Sequence, residues 1–350
     1  MSKRHHPVYL SSIKYASVTL VACAVAIGAW FTWNNTRTPS FHPPSKQDII
    51  AYAQQCIAAH KPVDIVAVFG KNLSHIDLSD TTLPESNFEG ADLSFSNFRN
   101  SNLERSIFSG AILQYANLSN ANLAGTNLTH SNLSYADFTK ANLENANLSG
   151  TNLTYASLNN ANLARTTLTG ADLSYANAYN ANFFHALLNE TQMEGTYLST
   201  SYMKEADLSK ATISDASLDQ VNLSNAIMEN TKLSDVSLKK SLLDYANLTD
   251  ATIVHSTLYK ASLQQALLHH STFESSDLSE ANLWKADFSD ATLKTVLFKG
   301  TQLWQTTLTK TRITDSDFSG ASFDGTDISS AVLDNNQKLE LKTPDAPLSH

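Results

Sequence analysis

The sequence predicts an all-β solenoid, a rod that turns four corners in every twenty residues. Three observations carry that prediction. Every fifth residue from Leu73 to Leu333 is a mid-sized or large apolar side chain, 53 positions in one register with a single lapse at Ala178. A second period of twenty lies inside the first: Phe95, Tyr115, Tyr135, Tyr155 and Tyr175 share one track, and Gly90, Gly110, Gly150 and Gly170 another, with His130 standing in once. Only Pro84 lies between Leu73 and Leu333, as a stack of coils joined through backbone N–H groups requires. A period of five suits neither a helix at 3.6 nor a flat strand at 2. Strict self-similarity over so long a stretch marks a stacked repeat.

The pentad has its own chemistry. Runs such as ANLSN (116–120), ANLAG (121–125) and TNLTH (126–130) place a large apolar residue two positions after a small one. The large side chain points into the rod, and a narrow interior admits only a small or short branched neighbour, mostly Ala, Ser or Thr. Asn, Asp, Ser, Thr and Gly fill the other slots. Those residues suit tight corners, because Gly tolerates positive φ while Asn and Asp bond their own backbone. Like positions then stack about 4.8 Å apart, so about thirteen coils make a rod roughly 60 Å long.

This A-[N/D]-L-x-x pattern resembles the pentapeptide-repeat proteins, over residues 71–335. The resemblance implies a right-handed quadrilateral β-helix. It implies less about function, since one rod serves many ends. Some relatives are acidic, DNA-like dimeric rods that bind DNA gyrase and confer quinolone resistance. This chain shares the repeat and the acidity. It departs in an apolar segment before the rod, a charge-free proximal half and the lack of loop insertions.

Taken in order, residues 1–14 form a basic leader. Residues 15–33, YASVTLVACAVAIGAWFTW, carry no charge. As a helix they span about 28 Å, close to a bilayer's hydrocarbon core. Tyr9 and Tyr15 flank one end, and Trp30, Phe31 and Trp33 the other, as an aromatic belt would. An uncleaved transmembrane signal anchor is the first reading of this segment. A cleaved signal peptide and a lipoprotein signal at Cys23 remain open beside it. Lys3, Arg4 and Lys14 before the segment, against Arg37 and Lys46 after it, put the N-terminus in the cytoplasm and the repeat outside it, periplasmic or otherwise extracytoplasmic. The lipid bilayer is thus an expected partner, through residues 15–33.

Residues 34–46 contain Pro39, Pro43 and Pro44 and read as an extended spacer. Residues 47–70 read as a helical N-terminal cap, with Ile49, Ile50, Ala53 and Ile57 at helical spacing over Gln47–His60. Solenoids need such caps, because a terminal coil otherwise exposes apolar interior and unpaired backbone. Val63 and Val68 already fall in the fivefold register, so the first coil is expected there. Residues 71–335 are the β-helix and 336–350 a polar tail. The tail offers only Leu339 and Leu341 as a lid, which leaves the C-terminal end weakly blunted or open to a second copy of the chain in a homodimer.

Charge narrows the partners. The chain holds 24 Lys and Arg against 33 Asp and Glu, a net of −9. Between Lys71 and Asn335 the balance is 16 basic to 29 acidic, a net of −13. Residues 106–136 and 145–164 carry no charge, and the acids gather after about Asp207. No basic stripe is visible, so nucleic acid is not an expected partner. Cys23 and Cys56 give no disulfide framework.

No catalytic constellation emerges: no Gly-rich phosphate loop, HExxH, GxSxG or Cys pair at metal spacing. No enzyme activity, cofactor or metal is expected. His269 and His270 read as solvated corner residues, and His75 and His255 lie too many coils apart to share a ligand. The candidate partner-binding surface is aromatic: Phe95, Tyr115, Tyr135, Tyr155 and Tyr175 along one edge, with Trp284 and Trp304 further on. A ladder of this kind either stabilises itself by stacking or docks a protein or glycan. The expected function is a membrane-anchored, non-enzymatic scaffold for protein–protein interaction. A secreted effector acting at host membranes and a gyrase-binding protein are the alternatives.

Overall fold

A computed structural model describes residues 44–334. The leader (1–14), the apolar segment (15–33), most of the spacer and the tail (336–350) lie outside the described residues. Among those described, no helix is long and apolar enough to cross a membrane.

The described chain opens on α1 (Lys46–Ala58). Ser45 caps it: its hydroxyl accepts from Asp48 N (3.2 Å), and the Asp48 carboxylate accepts from Ser45 N (3.1 Å). This reciprocal box fixes the start one residue earlier than the apolar spacing indicates. Ile49 and Ala53 are buried. The helix is tied to the rod by Lys46 Nζ, which donates to the Ser79 carbonyl, and by Tyr52, whose ring meets Phe69 edge-on at 5.7 Å.

The first coil departs from expectation. Val63 and Asp64 form β1, and Ile65–Phe69 form a second short helix, α2, capped by the Asp64 carboxylate on Ala67 N (3.0 Å). β1 pairs in parallel with β2 (Ser86–Asn87), Val63 opposite Ser86. That separation is 23 residues, where every later pairing is 20. α2 therefore inserts three residues. Val63 takes a small-residue slot rather than a place in the apolar column, and Val68 lies in α2, outside any coil face. Their fivefold spacing is coincidental.

From Asn72 onward the coil is regular. Asn72 bridges Asp92, Asp77 bridges Asn97, Thr82 bridges Asn102 and Asn87 bridges Ile107, all parallel. Four such bridges per twenty residues make a four-sided solenoid.

The pentad consensus follows from an accounting of its backbone N–H groups, since buried donors must be paired. The central residue donates to the next coil (Leu133 N to Asn152 O, 2.8 Å), and so does the corner residue (Tyr135 N to Thr154 O, 3.0 Å). The residue before the centre donates to the previous coil (Asn132 N to Ala111 O, 2.9 Å). The small residue closes a turn within its own coil (Ala136 N to Leu133 O, 3.1 Å). That leaves the N–H after the centre, and the Asn or Asp side chain accepts it: Ser134 N donates to Asn132 Oδ1 at 3.2 Å. Hence Asn or Asp precedes so many of the central leucines.

The interior is also as the pattern requires. The central column is buried throughout its middle, Ala178 included, and the small residues beside it are buried too. Interior hydroxyls bond back to the backbone, as Ser131 Oγ does to Leu128 O at 2.6 Å. Every fifth residue from His75 to Gly325 has φ between 49° and 70°. That left-handed conformation favours Gly and costs other residues about 1–2 kcal/mol.

One face changes character along the rod. From Gln192 it carries strands β3 (Gln192–Glu194), β4 (Thr212–Ser214), β5 (Lys232–Ser234), β6 (Thr252–Val254), β7 (Thr272–Glu274), β8 (Thr292–Lys294), β9 (Arg312–Thr314) and β10 (Val332–Leu333). These pair in sequence order into one parallel sheet. The residue before the centre in these eight is Gln, Thr, Lys, Thr, Thr, Thr, Arg and Val, never Asn or Asp. With no side-chain acceptor available over consecutive coils, the backbone there extends its own ladder. The last described coil packs Ala321, Phe323, Ile328 and Leu333 against the core only in part.

Candidate interaction surface

Corner residues project outward, and the twenty-residue track puts like side chains above one another at the same corner. The expected ladder forms. Ring centroids lie 4.9 Å apart for Phe95–Tyr115, 4.8 Å for Tyr115–Tyr135, 4.9 Å for Tyr135–Tyr155 and 5.0 Å for Tyr155–Tyr175, with planes within 14° of parallel. His75 extends it by one ring, 4.9 Å from Phe95. All five predicted rings remain about half exposed. Since each ring covers its neighbour's face, the ladder offers solvent its edges and hydroxyls. A sugar that stacks on an open ring face finds none in the middle of this ladder, so edge-on contact with protein is the docking mode it allows.

The ladder ends for a local reason. The next corner on this track is Gly195, and the Tyr175 ring occupies the space a Cβ there would fill, with Cδ1 2.6 Å from the ideal Cβ position. The Tyr175 hydroxyl donates to Glu194 Oε1. That bond to a carboxylate pushes the phenol's pKa up to about 12.

Trp284 and Trp304 stand elsewhere. They occupy one flat face in successive coils, joined through the backbone by Lys285 N to Trp304 O at 2.9 Å. Lys285 Nζ lies 4.5 Å from the Trp284 ring, a cation–π contact. Trp304 is exposed. The structure does not bring this pair together with the ladder.

A further aromatic cluster escapes the twenty-residue period. Tyr179 and Tyr197 lie on the face that follows the ladder corner, and Phe184 and Tyr202 on the next face round. Phe184 and Tyr202 rings are 5.9 Å apart, and Arg165 Cζ lies 5.9 Å from the Phe184 ring. His185 touches Phe184 edge-on at 4.2 Å and Glu205 at 2.7 Å. Tyr179, Tyr197 and Tyr202 are all exposed. The signal was an 18-residue spacing: the residue after one centre touches the residue before the centre one coil on. The same offset joins Ser199 to Ser217 and Asp219 to Ser237.

On this cluster's second face runs an amide ladder, whose last member, Asn182, bridges Tyr202. Asn122, Asn142, Asn162 and Asn182 each donate to the Asn one coil earlier, at 3.0–3.1 Å, starting from Asn102. Ion pairs such as Arg105–Glu85 (3.6 Å) and Lys210–Glu190 (3.6 Å) decorate the corners and are well exposed, so each contributes little. Among the described residues no cluster of His, Cys, Asp and Glu is arranged to hold a metal.

The pentapeptide-repeats family model matches the sequence eight times, from residues 72–110 at the start to 297–335 at the end. No curated protein matches. Among solved structures, one neighbour is HetL, a pentapeptide repeat protein involved in heterocyst differentiation regulation from the cyanobacterium Nostoc sp. strain PCC 7120: 24% identity over 81% of this chain and 95% of that one, TM-score 0.22. Another is QnrB1, a plasmid-mediated fluoroquinolone resistance protein: 18% identity, 51% and 94% covered, TM-score 0.38. A third is a thylakoid-lumen pentapeptide repeat protein of Arabidopsis thaliana: 26% identity, 35% and 81% covered, TM-score 0.16. At such scores these likenesses say nothing about how this chain works.

Proposed function

The chain belongs to the pentapeptide-repeat family, and from that premise we propose that it is a non-enzymatic interaction scaffold, held at a bilayer by residues 15–33, that receives a protein partner along its aromatic corner and mid-rod cluster. One observation supports this reading above others. The described interior is committed to packing, while eight large aromatic side chains stay exposed from Phe95 to Tyr202, against Tyr245 and Trp304 beyond. Part of that span runs through residues 106–136 and 145–164, which carry no charge. Exposed aromatic residues of this kind anchor protein interfaces. The uncharged nineteen-residue stretch, with basic residues before it, supports the tether. A second copy of the chain is a natural cover for the partly exposed Phe323, Ile328 and Leu333 in the last described coil.

Fractionation of cells producing the full chain with a C-terminal tag tests the tether. The tag should sediment with membranes, resist digestion in intact cells and be cleaved in spheroplasts. A soluble, cytoplasmic tag overturns it. Sedimentation of the detergent-solubilised chain tests the dimer, which Phe323→Asp should disperse.

A further inference from the structure

The aromatic corner holds an arrangement that docking does not explain. Four phenols, Tyr115, Tyr135, Tyr155 and Tyr175, stack in near-parallel contact at 4.8–5.0 Å. Both ends of this run are closed. Proximally stands Phe95, whose ring has no O–H to lose. Distally stands Gly195, which has no ring at all. Of the four phenols, Tyr175 alone donates to a side-chain acceptor, the Glu194 carboxylate. Tyr115, Tyr135 and Tyr155 lie in the uncharged stretches 106–136 and 145–164.

We propose that this stack is a one-electron relay that collects oxidising equivalents on Tyr175. Electron tunnelling falls off exponentially with distance, so rings in van der Waals contact exchange an electron far faster than rings set apart by side chains or solvent. The oxidant is an outer-sphere one-electron acceptor, such as a peroxyl radical or a metal polypyridyl ion. It takes one electron from any of the four phenols, and that phenol releases its proton to water, leaving a neutral phenoxyl radical. The radical then moves: Tyr155 gives an electron through the stacked rings to the Tyr135 phenoxyl, which regains a proton from water as Tyr155 loses its own. All four residues are about half exposed, so water is at hand for this exchange. At Tyr175 the proton passes to Glu194. The products are Tyr175–O•, a neutral Glu194 carboxylic acid and the reduced oxidant, so charge and atoms balance. A carboxylate already bonded to the phenol takes the proton as the electron leaves, so Tyr175 is oxidised faster than the phenols that must release theirs to water, and the stack ends there.

The chain contains its own controls. Tyr197 and Tyr245 are 60% and 54% exposed, against 41% for Tyr175, and neither stands in the stack. The full chain is flashed with a ruthenium tris-bipyridyl ion and persulfate, the oxidant held below one equivalent, in the presence of a nitroso spin trap. Trapped residues are mapped by peptide mass spectrometry. The wild type should carry most label on Tyr175, despite its lower exposure. Tyr155→Phe keeps a stacked ring but removes a phenol; it should cut the Tyr175 label several-fold and raise that on Tyr135. Glu194→Gln should spread the label along Tyr115, Tyr135 and Tyr155. Label that follows exposure, with Tyr197 and Tyr245 leading, overturns the relay. So does a Tyr175 label unchanged in Tyr155→Phe.

Discussion

The ring of Tyr135 lies 4.9 Å from that of Tyr155 with their planes 3° apart, and both residues hold left-handed backbone, φ 61° and 60°. A tyrosine is a poor choice for that conformation and a good one for that stack. The two effects are of similar size, about 1–2 kcal/mol against and about 0.5–1.5 kcal/mol per ring pair in favour.

That balance orders two substitutions. Tyr135→Ala removes two ring pairs and should cost about 1–3 kcal/mol. Tyr135→Gly removes the same pairs but relieves the backbone, and should recover about 1 kcal/mol of the loss. Urea denaturation of the two variants beside wild type gives the order wild type, Gly, Ala.

Gly195→Ala should act on Tyr175 rather than on the core. The new methyl would stand 2.6 Å from Tyr175 Cδ1 and would take left-handed backbone as well. The ring must swing away and lose Glu194. The folded phenol's pKa, now pushed up to about 12, then drops toward its ordinary value. Folded-state pKa raised above unfolded means stability present below pH 10 and lost toward pH 12. Absorbance titration at alkaline pH should show one phenol ionising earlier in Gly195→Ala and in Glu194→Gln.

Acid should weaken the corners capped by aspartate. Ser79 N donates to Asp77 Oδ1 at 3.0 Å and Ser319 N to Asp317 Oδ1 at 2.9 Å. These backbone bonds hold both carboxyls below their usual range. The stability they add is complete above pH 4 and disappears as pH falls through the depressed values. Asp317→Asn keeps the cap without the charge. Thermal melts from pH 6 to pH 2 should fall less steeply for that variant.

The amide ladder should be worth more at its middle than at its end. Asn142 donates to Asn122, accepts from Asn162 and caps Glu144 N. Asn142→Ala leaves those partners short and should cost about 1–3 kcal/mol. Asn182→Ala loses one amide link and one cap, and should cost less in the same urea assay.

The sequence made the solenoid and the ladder legible because both are periodic. Leu133 and Tyr135 could be placed, one inside and one at a corner, by counting fives and twenties. Asn132 could be placed at a turn, though nothing in the period shows its role as acceptor for Ser134 N. Three features broke the count. Val63 and Val68 fall on the fivefold track by accident, since α2 adds three residues to the first coil. Phe184 and Tyr202 meet across one face at an offset of 18, which no repeat period displays. The sheet from β3 to β10 depends on consecutive coils lacking Asn or Asp at one position, a pattern visible only once the faces are known.

Backbone hydrogen bonds lock each coil to the next, which leaves the proposed function to the rim. Residue-level hydrogen exchange on the full chain tests this most directly. Amides of the central and corner residues, from Leu73 and His75 through Leu303 and Gln305, should be protected together, including those in the charge-free stretches 106–136 and 145–164. Rapid exchange at Leu128, Leu133 and Tyr135 while the flanking coils stay protected would contradict it.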